Sequence, residues 1–283
     1  MAAAHLEPAG LERAAELVAQ ADALLVAAGA GMGVDSGLPD FRGNTGFWQA
    51  YPALGRERTD FTAISSPRAF ERQPLRAWGF YGHRLALYRA TVPHAGFATL
   101  QRWGAAMEHG CAVFTSNVDG QFQRAGFDAQ AMDECHGSIH FLQCLAPCSD
   151  AIWPADDFVP EVDAGQCLLV NEPPLCPRCG GLARPNILMF GDAGWVEHRQ
   201  AAQTARLARW LAEARRPVVV ELGAGTAVPS VRHFSHQVIL RHGGRLVRIN
   251  PREPAVPGSL DVGLAGGAAA VLAAIDGLLA GPR

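Results

Sequence analysis

The chain contains no lysine: all 24 of its basic residues are arginine. Alanine and glycine are abundant at the same time, so a biased genome composition is the plain cause. Long apolar runs are missing as well. Of the 283 residues 49% are apolar, yet no run approaches the ~20 residues that a membrane span needs, so no membrane partner is expected. The opening stretch, MAAAHLEPAGLERAAELVAQ, mixes acids with apolar residues and lacks a basic n-region. It reads as an amphipathic helix and not as a signal peptide, which makes the cytoplasm the expected location. Strong charge of one sign is absent too. A formal charge of -3 gives no long-range attraction to nucleic acid or to an anionic membrane. No internal repeat or low-complexity tract is visible. A chain of this length can bury a sizeable core and hold one large domain, or one domain plus a small module.

Cysteine is scarce and odd in number. The seven are Cys111, Cys135, Cys144, Cys148, Cys167, Cys176 and Cys179, which argues against a disulfide framework in a chain without a secretory signal. Four of them form two close pairs, Cys144-x3-Cys148 and Cys176-x2-Cys179. Two thiol pairs a few tens of residues apart suit tetrahedral Zn²⁺, and four thiolates leave no open position for water, so such a zinc is structural. The second pair sits in Cys176-Pro177-Arg178-Cys179-Gly180-Gly181, a knuckle in which glycine permits a turn and backbone N–H groups can face the sulfurs. The x3 spacing of the first pair is looser, and Cys167 lies within reach as a substitute ligand. Cys111 and Cys135 read as buried apolar positions.

The most informative stretch is residues 28–43, AGAGMGVDSGLPDFRG. It follows a short apolar run, Ala23–Ala27, with the pattern of a buried parallel strand. A strand feeding a Gly-x-Gly turn brings backbone N–H groups close to a pyrophosphate in doubly wound folds. Gly29 and Gly31 supply that turn here, while the position of the third fingerprint glycine is Val34. Further strands are expected at Ala112–Phe114, Pro217–Leu222 and Arg245–Ile249. They end at Thr115-Ser116-Asn117-Val118-Asp119, at Gly223-Ala224-Gly225-Thr226 and at Asn250-Pro251. Helices are expected near 66–73, 75–90, 94–106, 229–241 and 266–279, and an irregular, metal-held insertion over 144–181. Alternating strands and helices imply an α/β parallel sheet. Each polar or glycine cluster follows a strand's C-terminal end, where open sheets bind ligands.

The order of these pieces resembles the sirtuins, NAD-consuming protein deacylases, in a bacterial-type form, from about Ala21 to Leu279. The shared series runs from the glycine loop through Ser36–Arg42, Thr115-Ser116-Asn117-Val118-Asp119 and Glu134-Cys135-His136-Gly137 to the cysteine pairs. Arg184-Pro185, Phe190-Gly191-Asp192, the turn at 223–226 and Asn250 complete it. The resemblance implies a Rossmann-like doubly wound sheet with a small zinc-binding module inserted. Residues 1–143 and 182–283 would form the NAD-binding domain, with a helical insertion at about 44–92, and 144–181 the zinc module.

In that chemistry an acyl-lysine amide attacks C1′ of the nicotinamide ribose as nicotinamide leaves, and the intermediate is resolved through the ribose 2′-hydroxyl. The base this needs is, by resemblance, His136, since an imidazole titrates near neutrality. The implied NAD contacts are Gly29, Ala30, Gly31, Asp40, Phe41, Arg42, Ser116, Asn117, Val118 and Asp119, with Gly223, Ala224, Gly225, Thr226 and Asn250 serving the phosphates and adenosine ribose. Asn117 and Asp119 would hold the ribose and carboxamide, and both can also cap the helix expected to start near Asp119. Phe41 would cover the nicotinamide and Arg42 order the loop. Phe190 and Gly191 would line the channel of an acyl-lysine protein or peptide. His140 reads as an ordinary polar position.

The chain departs from the family at Ala28, Gly33, Ser116 and Asp192, where Thr, Ser, Gln and Glu are usual. Its third strand ends in Gly-Ala-Gly-Thr, with the following proline one residue early. Tyr81 and Arg84 match a Tyr-x-x-Arg pair that in some sirtuins holds acidic acyl groups such as succinyl and malonyl; a guanidinium meets a carboxylate bidentately. Two other activities remain open at this level: ADP-ribosyl transfer or NAD hydrolysis, and a non-catalytic NAD-binding module.

Overall fold

The structure is a computed structural model that describes residues 7–40 and 43–281. Six parallel strands form its main sheet: β1 (Ala23–Ala28), β2 (Cys111–Thr115), β3 (Met132–Glu134), β9 (Pro217–Leu222), β10 (Arg245–Ile249) and β11 (Val262–Leu264). Their spatial order is β3-β2-β1-β9-β10-β11, so the chain winds outward from β1 one way and from β9 the other. This is a doubly wound Rossmann-like order, with its switch point between β1 and β9.

β1 and β9 are buried at every position, because helices cover both faces; an alternating pattern would have exposed one face. Leu24, Val26 and Ala28 pack with the helices Pro8–Gln20, Ala95–Ala105 and Ala268–Ala280. Leu25 and Ala27 pack with His198–Glu213 and Ser230–His242 on the other face. One ion pair lies inside the sheet. Arg248 on β10 stands in register with Glu221 on β9 and bonds both its carboxylate oxygens.

Two insertions stand over the C-terminal edge of the sheet. Between β1 and β2 come the helices Gly43–Ala50, Pro52–Arg56, Phe61–Ile64, Pro67–Arg72 and Pro74–Ala90. After β3 come β4 (Gly137–Cys144), β5 (Ile152–Pro154) and β8 (Ala183–Ile187), an antiparallel sheet in the order β5-β4-β8. Between β5 and β8 lies a small antiparallel pair, β6 (Val162–Asp163) and β7 (Leu168–Leu169). The stretch expected to be irregular thus contains short strands. The two insertions share one apolar cluster, in which Trp78, Tyr81 and Leu85 meet Ile139, Leu142 and Leu169. Trp78 Nε1 donates to the carbonyl of Ala183 at 3.0 Å, which joins the long helix to β8.

The expected helices are present with ends shifted by a residue or two. His198–Glu213 was not anticipated. Its inward face is only Gln203, Leu207 and Leu211, and a glutamine in that stripe hides the helical period. No described helix is long and apolar enough to cross a membrane.

Candidate functional site

A cavity of about 680 Å³ lies between the sheet's C-terminal edge and the two insertions. Its sheet end is built from main chain. After β1 the chain turns at Gly29 into a 3₁₀ helix, Ala30–Ser36, and this turn meets the one after β9. Gly31 N–H donates to the Gly223 carbonyl at 3.1 Å. A Cβ on Gly31 would fall 2.6 Å from Gly223 Cα, and one on Gly223 2.3 Å from Gly31 Cα. Gly223 also has a φ of +59°, in the region that favours glycine. The two turns therefore lock backbone to backbone. Gly29, Ala30, Gly223, Ala224 and Gly225 line the cavity; Gly31 stands behind, in the lock.

The end of β2 supplies the polar wall of Ser116, Asn117, Val118 and Asp119. Thr115 Oγ1 bridges, donating to the Ala28 carbonyl at 2.9 Å and accepting from Asn117 N–H at 3.0 Å. Asn117 Nδ2 reaches across to the Gly29 carbonyl at 3.0 Å. Asp119 is 9% exposed and accepts from Gln121 N–H at 2.9 Å, at the start of a helix whose N-cap position is Gly120 and not Asp119. Burial pushes its carboxyl up to about 6, against the opposing pull of that N–H and of Arg84. The carboxyl thus stays protonated to a higher pH than an ordinary carboxylate does. His140 has more than an ordinary place: its Nε2 lies 3.0 Å from the Asp119 carbonyl oxygen and supports the turn.

His136 follows β3 and faces the same cavity. Burial lowers its pKa, opposed by a hydrogen bond with the Ser116 backbone, so the ring is held neutral, the form a base requires. Its Nε2 lies 3.2 Å from Oγ of Ser230, the first residue of the helix Ser230–His242. The glycine that follows is needed for a close approach, since a Cβ on Gly137 would stand 2.2 Å from the Asn186 carbonyl oxygen.

Several sequence-predicted residues sit behind the wall. Asn250 is fully buried; its Nδ2 donates to the Ala224 carbonyl at 2.9 Å, and its Oδ1 accepts from the N–H groups of Arg252 and Glu253. It shapes the 223–226 turn from below. Thr226 Oγ1 donates to Glu253 at 2.8 Å and does not line the cavity. Asp40 does line it, and pairs with Arg252 across the mouth at 3.4 Å. Phe41 and Arg42 lie outside the described residues.

The other end of the cavity is built from side chains. Tyr81 and Arg84, both on Pro74–Ala90, face it together with Tyr88, Phe61 and Met189. Arg84 is 8% exposed; its Nε donates to the Tyr88 hydroxyl at 2.8 Å. Its guanidinium carbon lies 5.6 Å from the Tyr81 ring centre and 5.4 Å from that of Tyr88, within cation–π range. Phe190 also faces the cavity, and its N–H donates to the Ser65 carbonyl at 2.9 Å. Gly191 borders a neighbouring depression with Arg68 and Arg72. Asp192 forms a wholly buried ion pair with Arg184 at 2.8 Å that holds this turn. Tyr88 is among the cavity residues that sequence reasoning passed over. It lies seven residues after Tyr81 and four after Arg84, so helical spacing alone places it on their face. Ser230 had no comparable signal.

Sγ atoms of Cys144, Cys148, Cys176 and Cys179 lie within 4.8 Å of one another. The Cys144–Cys179 and Cys148–Cys176 separations are 3.7 and 3.6 Å. Tetrahedral Zn²⁺ with bonds of about 2.3 Å has sulfur–sulfur edges of roughly 3.8 Å, so this quartet fits a structural zinc. Backbone hydrogen bonds at Cys179 and Arg178 draw the Cys176 thiol down to about 7, against its burial, and Gly181 N–H points at the Cys179 sulfur at 3.4 Å. Cys167 is not a member. It is buried under the long helix, where a Cβ on Gly79 would stand 2.3 Å from its carbonyl oxygen.

Among known proteins, a family model described as the Sir2 family matches residues 29–211. An NAD-dependent protein deacylase of Pyrococcus furiosus is 29% identical over 265 residues, which is 93% of this chain and 95% of that one. NAD-dependent protein deacylase 2 of Pyrobaculum aerophilum is 31% identical over 261 residues, 91% of each. A crystal structure of a Sir2 homolog–NAD complex has a TM-score of 0.71 at 23% identity, over 94% of this chain and 93% of that one. Another, concerned with the mechanism and regulation of Sir2 enzymes, has a TM-score of 0.69 at 25% identity, over 96% and 98%.

Proposed function

The chain belongs to the Sir2 family, and we propose that it is an NAD-dependent protein lysine deacylase that prefers succinyl and malonyl groups to acetyl. One observation carries the reading: His136 and Asp119 at the sheet end and Arg84 at the helical end open onto a single cavity. Bound NAD would supply the ribose that accepts the acyl group as nicotinamide leaves. The main-chain wall at Ala30, Ala224 and Gly225 suits the phosphates, since backbone N–H groups at strand ends meet anions without side chains in the way, while the N–H groups of Gly29 and Gly223 hold the turns by donating to the Leu222 and Ile249 carbonyls. Asn117 and Asp119 would orient the ribose and the carboxamide. Neutral His136 would take a proton from a ribose hydroxyl. The acyl-lysine would enter beside Phe190, and the acyl chain would run toward Tyr81 and Arg84.

An acidic acyl group suits this end for a physical reason. A guanidinium ringed by aromatics has little water around it, so an acyl chain that brings a carboxylate is favoured over one that brings none. The test is mass spectrometry of all products after incubation with NAD and a panel of acyl-lysine peptides. The expected products are nicotinamide, free lysine and O-acyl-ADP-ribose, formed faster from succinyl- than from acetyl-lysine. A mass gain on protein would mean ADP-ribosyl transfer, and NAD loss without peptide change would mean hydrolysis. No NAD turnover would leave a binding module.

A further inference from the structure

Arg84 is held by a residue that the Tyr-x-x-Arg pattern does not include. Its Nε donates to the Tyr88 hydroxyl at 2.8 Å, and Tyr88, 5% exposed, lines the same cavity. Tyr88 is itself fixed from behind. Its backbone carbonyl accepts from Nε2 of the buried Gln121 at 3.1 Å, and Gln121 N–H donates to Asp119.

Two consequences follow from this geometry. A guanidinium can meet a carboxylate side-on, through Nε and one terminal nitrogen, or end-on, through both terminal nitrogens. With Nε engaged by Tyr88, an incoming acid must pair through the terminal nitrogens, and the one on the Nε–H edge lies beside the phenol oxygen. A phenol that accepts one hydrogen bond also keeps a proton to give. Burial pushes the Tyr88 pKa up, so that proton stays in place at working pH.

We propose that Tyr88 is a third recognition residue for an acidic acyl group: it holds Arg84 through Nε, and its own hydroxyl proton and the adjacent terminal nitrogen of Arg84 together meet the substrate carboxylate. This rests on the acyl-chain reading above and adds a separate residue to it. The alternative is that Tyr88 merely fills space beside Arg84.

The variant Tyr88→Phe keeps the ring and removes only the oxygen. The readout is the ratio of kcat/KM for succinyl-lysine to that for acetyl-lysine peptides, with the melting temperature as a check on the fold. Tyr88→Phe should lower the ratio by about tenfold, a size typical of one charge-assisted hydrogen bond, mainly through a higher KM for the succinyl peptide. In an Arg84→Met background the same change should leave the ratio where Arg84→Met put it, because the two residues act on one carboxylate. A ratio that responds to Arg84→Met and ignores Tyr88→Phe overturns the role of Tyr88 alone. Independent, multiplying effects of the two substitutions overturn it as well. A wild-type enzyme without succinyl preference, or a ratio indifferent to Arg84→Met, overturns the acyl-chain reading and the Tyr88 proposal together.

Discussion

At the sheet end of the cavity the walls are main chain and short polar side chains, held where parallel strands stop; at the helical end they are aromatic rings around one guanidinium, held by a single helix. The sheet end is fixed by hydrogen bonds between turns and by glycines that touch backbone to backbone, as Gly31 and Gly223 do. A side chain added at either of those glycines would disturb the fold. At the helical end Tyr81, Arg84 and Tyr88 project from Pro74–Ala90, and that helix leans on Cys167 and Ala183 of the second insertion. Selectivity can therefore change there without moving a strand. On the proposed reading, the difference separates the part that performs the reaction from the part that chooses the substrate.

The largest expected effect is at the sheet end. His136→Ala should reduce deacylation by about 10²–10⁴-fold, the usual contribution of one general base. Steady-state rates on two acyl peptides check this, and both should fall by the same factor. In the intact enzyme the acid limb of kcat/KM should lie below the 6.5 of a free imidazole, because burial keeps His136 neutral to lower pH.

Removing zinc should act on the opposite end. The quartet of Cys144, Cys148, Cys176 and Cys179 holds an insertion made of strands two to eight residues long, and such a piece has little core of its own. A chelator should lower the melting temperature by on the order of 10 °C. Hydrogen exchange should rise first in 137–187 and 74–90, while β1, β2 and β9 stay protected. Simultaneous loss of protection in both regions would erase the distinction between them.

The sheet end and the zinc quartet were legible in the sequence because their causes are local. Gly29, Gly31, Asn117 and Asp119 each follow directly on an apolar run, and the cysteine pairs state their own spacing. Excluding Cys167 as a ligand needed the fold, since only packing under Pro74–Ala90 sets it apart. The helical end was legible only in part. Phe61 lies on a four-residue helix, Phe61–Ile64, too short to show a period. Met189 and Ser65 come to the cavity from two separate loops, after β8 and after Phe61–Ile64. β3 and β11, three residues each, are pairing partners more than patterns, and nothing in the chain announces Ser230 beneath His136.

Asp119 gives the smallest effect and sharpens the sheet end. Its folded pKa, about 6, lies above the ordinary carboxylate value of 3.8, so the folded chain binds this proton more tightly than the unfolded one. The resulting penalty on stability is present above about pH 6 and disappears below about pH 4. Asp119→Asn should therefore stabilise the protein by up to about 3 kcal/mol at pH 8 and by little near pH 4, while impairing turnover. Thermal melts across that range check the sign.

The central claim, that one end reacts and the other selects, is tested most directly by measuring kcat/KM for succinyl-lysine and acetyl-lysine peptides side by side in the wild type, His136→Ala and Arg84→Met. The wild type should favour succinyl-lysine. His136→Ala should lower both values and preserve their ratio, and Arg84→Met should shrink the ratio by roughly 30–150-fold, as expected for losing about 2–3 kcal/mol of buried charge pairing. An Arg84→Met enzyme slowed equally on both peptides, or a His136→Ala enzyme with an altered ratio, would contradict it.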